Sequence, residues 1–113
     1  MYKFGHIVLT PFPFTDLSQN KVRPALVLGT QEGGDDVTVC FISSVLEKKI
    51  QKFDILINEK DKSFKTTGLK LKSVIKTTKI ATLDKVVILG KIGELDIKNI
   101  KEVKKVLNSY FSL

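Results

Sequence analysis

The chain is short of the residues that build metal centres and covalent staples. Its 113 residues include one cysteine, Cys40, and one histidine, His6. A single cysteine cannot close an internal disulfide, which excludes a disulfide-stapled scaffold. One Cys and one His cannot assemble a zinc finger or a His/Cys zinc site, although the count leaves a carboxylate magnesium site open. No run approaches the roughly 20 apolar residues of a membrane span. Met1-Tyr2-Lys3 leads into alternating, turn-rich sequence without the apolar core of a signal peptide. There is no glycine-rich phosphate loop and no Ser/His/Asp triad spacing. Arginine is scarce too: Arg23 is the only one, beside 18 lysines. The expectation is a soluble, cytosolic protein with one domain over residues 1–113 and no membrane association.

What is present suits a packed core with a basic surface. Hydrophobic residues make up 42% and charged residues 27% of the chain, ordinary for a globular domain. The formal charge is +7. Residues 1–46 sum to −1, residues 47–80 to +6 and residues 81–113 to +2, so the positive field is concentrated in the middle of the chain. Such a field favours a polyanion, whether nucleic acid, an acidic protein tail or an anionic surface. Where plain positive charge suffices this sequence uses Lys. Arg differs in its planar fork of donors, suited to bidentate contact with phosphate, and in keeping its proton.

Hydrophobic patterning predicts five or six short strands and one helix. Residues 5–14 read as a strand closed by Pro11 and Pro13, which confine that end to a sheet edge or exit. A polar loop follows over 15–21, then a strand over Val22–Leu28 and a turn around Gly33-Gly34-Asp35. Val37–Leu46 is apolar up to Ser43 and Ser44, and Lys48–Lys52 is a basic connection. Phe53–Ile57 alternates as a short strand, and residues 58–68 read as a polar loop. Ser73–Ile80 and Lys85–Lys91 are two further strand-like runs rich in Val, Ile and Thr. Ile97, Ile100, Val103, Val106, Leu107, Tyr110 and Phe111 then recur at three- and four-residue spacing, an amphipathic helix with Asp96 as its cap. So many short strands with one terminal helix suggest a strongly bent antiparallel sheet or barrel.

Several residues are candidates for chemistry, each with a structural alternative. Arg23, at the mouth of a strand directly after a polar loop, is either a fixed cation aimed at a phosphate or a snorkelling side chain paired with Asp16 or a loop carboxylate. Ser43 and Ser44 either position a phosphate or simply end a strand. His6 invites a general-base role but has no second imidazole, and an edge histidine is the alternative. Cys40 reads as a small core hydrophobe. Asp16, Ser18, Gln19 and Asn20 in the 15–21 loop either read unpaired bases or solvate a hairpin.

The run Gly5-His6-Ile7-Val8-Leu9-Thr10-Pro11-Phe12-Pro13-Phe14-Thr15-Asp16, followed by Lys21-Val22-Arg23-Pro24-Ala25-Leu26-Val27-Leu28, closely resembles the opening of PemK/MazF-type toxins. Ile42-Ser43-Ser44, Gly68-Leu69-Lys70, Ser73-Val74-Ile75, Lys79-Ile80-Ala81-Thr82-Leu83-Asp84 and Gly90-Lys91-Ile92-Gly93-Glu94-Leu95 continue the likeness in register over nearly the whole chain. The resemblance implies a mainly β fold, a small SH3-like antiparallel β-barrel of the MazF/CcdB toxin type with a C-terminal α-helix, usually a homodimer. It also implies the toxin of a type II toxin–antitoxin pair: an endoribonuclease that needs no metal or cofactor and cuts single-stranded RNA. The partner would be an antitoxin with an acidic, disordered tail that covers the RNA groove. By the family pattern Arg23 corresponds to the catalytic arginine and Ser43 to the catalytic threonine. The loop with Thr15, Asp16, Ser18, Gln19, Asn20 and Lys21 corresponds to the RNA-contacting segment. Ser44, Lys48 and Lys49 complete the expected RNA-binding set. Ser43 keeps the hydroxyl of the usual Thr without its methyl, and His6 stands where an acidic residue is common.

Two other readings share the same barrel. One is a non-enzymatic poison that jams a protein target such as DNA gyrase, with Val106, Leu107, Tyr110 and Phe111 as the working surface and Arg23 structural. The other is a decayed toxin that retains only antitoxin or RNA binding.

Overall fold

The computed structural model describes residues 1–11, 21–44 and 50–113. Val-, Ile- and Thr-rich runs form six strands: β1 (His6–Pro11), β2 (Val22–Thr30), β3 (Asp36–Ser44), β4 (Asp54–Ile57), β5 (Ser73–Asp84) and β6 (Gly90–Glu94). All pairings are antiparallel and the sheet order is β4-β5-β3-β2-β1-β6. Pro11 ends β1, an interior strand, so the proline marks an exit from the sheet rather than an edge. Residues 12–14 and 45–46, the expected ends of the first and third strands, lie outside the described residues.

Both faces of the central strands are buried. Ile7, Leu26, Cys40, Ile42 and Ile75 form one cluster, closed by Val103 from the helix α1 (Ile97–Phe111). Val8, Ala25, Val27, Val39 and Phe41 form a second cluster from the alternate positions of the same strands. This explains why β2 and β3 read as continuous apolar runs instead of alternating ones. Cys40 lies fully buried in the first cluster, and burial pushes its thiol up to about 12, as expected of a core hydrophobe.

Irregular pairings bend the sheet. Register shifts interrupt β1–β6 at Ile7/Val8, β2–β3 at Val27/Gly29 and β3–β5 at Cys40/Phe41. In the last of these Cys40 faces Ile80 while Phe41 faces Lys76, so Thr77, Thr78 and Lys79 bulge out of the ladder. The buried Thr77 hydroxyl donates to the Phe53 carbonyl at 2.7 Å and ties the bulge to the start of β4.

The outer strands β4 and β6 do not pair with each other; the segment between β4 and β5 spans the gap. Lys62–Thr67, inside the stretch expected to be loop, forms a 3-10 helix that packs on β6. The contact is backbone on backbone. A Cβ at Gly68 would collide with the Ile92 carbonyl, and one at Gly93 would collide with Thr66 and Thr67. Gly68 also has φ +72°, a left-handed conformation that favours glycine. The result is a curled sheet with a C-terminal helix, its edges bridged by a helical turn and not by a hydrogen-bonded ladder.

Two expectations change in detail. Lys85–Lys91 is not a strand: Lys85–Val87 is a 3-10 turn, and only Gly90 and Lys91 enter β6. The Asp84 carboxylate accepts from the Val86 N–H at 2.9 Å and ends β5, while Val86 and Leu89 remain exposed despite their β propensity. The helix occupies the expected span, and Asp96 caps it by accepting from the Asn99 N–H at 2.9 Å. Its apolar stripe is only partly sunk, however. Val103 is buried and Ile100, Val106 and Leu107 pack against the core, whereas Ile97, Tyr110 and Phe111 stay exposed. Among the described residues no helix is long and apolar enough to cross a membrane.

Candidate active site

Arg23 is the second residue of β2, one step before a proline. The β2–β3 ladder begins only at Ala25, opposite Phe41, as suits a strand whose preceding residue has no N–H to donate. Continuing that register by two residues, beyond the last paired residues, would set Arg23 opposite Ser43. Both are half-buried. On the other side Arg23 pairs in register with Thr10 of β1. Directly opposed residues of an antiparallel pair share a face, so Thr10 and Arg23 stand side by side.

A pocket of about 350 Å³ opens at this end of the sheet. Its walls are Leu9, Val22 and Pro24 from β1 and β2, Ile42 from β3, and the Gly68–Leu71 segment. Arg23 and Ser44 line it, and Ser43 does not. Strand alternation puts Ser44 on the face of Ile42 and Ser43 on the opposite one; Arg23, on Ser43's face by the continued register, reaches the pocket at the open strand end. Ser44 pairs in register with Ser73, whose hydroxyl donates to the Leu71 carbonyl at 2.7 Å and steadies the wall. Lys70, two residues after the helix-ending Gly68, adds a cation to the pocket that was not among the expected site residues.

One row further along, Phe41 faces Lys76, and Lys76 faces Asp54. Lys76 Nζ lies 2.8 Å from Asp54 Oδ2, and the carboxylate also accepts from the Gln51 N–H at 2.8 Å. The Asp54 side chain is only 5% exposed, so this pair is largely desolvated. It anchors the C-terminal side of the basic connection beside the candidate site. Nothing in the sequence paired these residues, which stand 22 positions apart.

Of the expected RNA-contacting residues, Lys21 and Ser44 are exposed near Arg23. Thr15, Asp16, Ser18, Gln19, Asn20, Lys48 and Lys49 lie outside the described residues, as does the alternative Asp16 partner for Arg23. His6 begins β1, which is interior to the sheet. Its Nδ1 accepts from the Lys3 N–H at 3.1 Å, an arrangement that requires an unprotonated nitrogen. Burial and the Lys91 charge hold its pKa below 6.5, and Glu94 opposes them. No three His, Cys, Asp or Glu side chains come together as a metal site among the described residues.

A larger concavity of about 1130 Å³ lies at the other end of β2, between Met1, Tyr2 and the 31–35 turn. Lys85 there is matched by Asp35 at 3.2 Å, and Lys91 by Glu94 at 3.6 Å. With its cations neutralised by neighbours, it suits an anionic ligand less well than the Arg23 end.

The sequence matches the family model of the PemK-like, MazF-like toxin of type II toxin-antitoxin systems over residues 3–111. No curated protein sequence matches. The fold resembles that of an endoribonuclease solved in complex with its cognate antitoxin from a mycobacterial species (TM-score 0.76, 13% identity, covering 100% of this chain and 97% of that one). It also resembles the Mycobacterium tuberculosis toxin MazF-mt6 (0.73, 18%, 96% and 97%) and MazF from Deinococcus radiodurans (0.72, 20%, 99% and 97%). At these identities the likeness is one of fold.

Proposed function

This chain belongs to the PemK-like, MazF-like toxins of type II toxin–antitoxin systems, and on that premise we propose that it is an endoribonuclease that cuts single-stranded RNA without a metal. The observation that supports the reading is the placement of the only arginine at the start of β2, lining a pocket at the end of the sheet, with Ser43 across from it if the β2–β3 register is continued. In the proposed reaction the RNA's own 2′-hydroxyl attacks the adjacent phosphorus, and the bond to the 5′-oxygen breaks. The 2′-oxygen loses a proton and the 5′-oxygen gains one, leaving a 2′,3′-cyclic phosphate and a 5′-hydroxyl. The protein therefore needs no nucleophile of its own.

Arg23 stabilises the charge that builds on the phosphoryl oxygens, and the Ser43 hydroxyl orients the phosphate. A guanidinium is a poor acid or base, so its role is electrostatic. The diffuse lysine field gathers RNA, or in its place the acidic tail of a cognate antitoxin; the similar mycobacterial endoribonuclease was solved with its cognate antitoxin. A homodimer acting in the cytoplasm completes the proposal.

Arg23→Ala should lower cleavage of a single-stranded RNA by about 10²-fold or more, the scale for losing a preorganised charge-stabilising donor. Arg23→Lys should recover only part, because it restores the charge without the fork. Full activity in Arg23→Ala contradicts the reading. A gyrase-type poison predicts the opposite pattern: no RNA cleavage, and growth arrest lost on Phe111→Asp but kept in Arg23→Ala.

A further inference from the structure

Thr10 presents an anomaly at the site. Its residue is fully buried, and its Oγ1 has no hydrogen-bond partner among the described residues. A buried hydroxyl left without a bond is a net cost, and each such group in a folded protein calls for an explanation. Packing does not supply one, since valine has the same branched shape and would fill the same space. The preceding residue on the same face of β1, Val8, is an ordinary member of the apolar cluster. Its cross-strand partner is Ala25; that of Thr10 is Arg23. Directly opposed side chains in an antiparallel ladder have Cβ atoms about 4.5–5.5 Å apart, which brings a threonine hydroxyl within reach of an arginine side chain.

The geometry points to Thr10 as a positioning residue for Arg23: when RNA draws the guanidinium toward the scissile phosphate, the Thr10 hydroxyl accepts a hydrogen bond from it and fixes the fork's orientation. The inference rests on the endoribonuclease reading above. Thr10 contributes neither charge nor a proton to the reaction. It removes a rotational freedom of the side chain that does the electrostatic work, which matters because a charge-stabilising group acts through its preorganisation. The functional acceptor is thus set in the β-sheet wall, on the strand next to Arg23.

Two variants separate this role from packing. Thr10→Val keeps the shape and removes the hydroxyl; Thr10→Ser keeps the hydroxyl and removes a methyl. Thr10→Val is expected to melt at the same temperature as the parent or higher, yet to lose about 10-fold in kcat with KM little changed. Thr10→Ser is expected to melt lower and keep kcat within about threefold. The single arginine gives one unambiguous guanidinium Nε–H signal. In complex with a single-stranded oligonucleotide blocked by 2′-deoxy substitution, that proton should exchange with water more slowly in the parent and Thr10→Ser than in Thr10→Val. Parent-like cleavage or exchange in Thr10→Val overturns the inference while leaving the endoribonuclease reading intact. An equal loss of kcat in Thr10→Ser and Thr10→Val also overturns it. A parent protein that leaves RNA uncut overturns both.

Discussion

At the scale of single residues, the proposed mechanism divides the work among an arginine, a serine and a threonine at one end of the sheet. Ser43 offers a hydroxyl without the methyl that would restrain its rotation. Ser43→Thr is therefore expected to raise kcat by about two- to fivefold, and Ser43→Ala to lower it by about 10-fold or more, in steady-state cleavage assays. Arg23 was legible in the sequence because a lone arginine in a lysine-rich chain already asks for an explanation, and its strand was bounded by a polar loop and a proline. Thr10 was not legible. A threonine in a Val- and Leu-rich strand is unremarkable for its β propensity, and only the folded chain reveals that its hydroxyl is buried without a bond.

His6 makes a separate prediction at this scale. Burial first, then the Lys91 charge, hold its pKa below the ordinary 6.5, against the pull of Glu94. The unfolded chain thus binds the proton more readily than the folded one. The neutral imidazole's contribution to stability is complete above about pH 6.5 and is lost as pH falls below that value. The urea midpoint should fall between about pH 7.5 and 5.5, and His6→Gln should flatten that part of the slope.

At the scale of elements, the contacts that shape the site join segments distant in sequence. The Gly68–Ile92 and Gly93–Thr67 approaches hold the 3-10 helix onto β6 and form one flank of the pocket. Gly68→Ala should cost about 2 kcal/mol in urea unfolding, since the new side chain meets both a left-handed backbone and a carbonyl oxygen. Asp54→Ala leaves Lys76 half-buried without its partner and frees the Gln51 N–H; a loss of about 3 kcal/mol is expected. Strand existence was legible from Val, Ile and Thr content, and the helix from its three- and four-residue spacing and Asp96. Lys85–Lys91 misled because Val86-Val87-Ile88-Leu89 has strand composition, whereas a local Asp84 cap decides its shape. The 3-10 helix at 62–67 had no period to announce it; its place is set by packing against β6.

At the scale of the whole molecule, a curled sheet buries both of its faces and leaves one end open beside Arg23, while the net charge of +7 supplies long-range attraction. Binding of a non-cleavable single-stranded oligonucleotide should weaken steeply with salt. A log–log slope of about −3 or steeper is expected, corresponding to four or more phosphates at roughly 0.7 each. The overall architecture, its bend included, was legible because many short strands precede one terminal helix and the family's motifs run in register through the chain; where the sheet bends was not, since that depends on bulges such as Thr77–Lys79 that no local pattern marks.

The most direct measurement compares two single-stranded RNAs in EDTA, one all-ribose and one carrying a single 2′-deoxynucleotide at the cut site. The chain is expected to cleave the first, leaving 2′,3′-cyclic phosphate and 5′-hydroxyl ends, and to leave the second intact at that position. An uncut all-ribose strand in EDTA, or cleavage at the 2′-deoxy position, would contradict the mechanism built around Arg23.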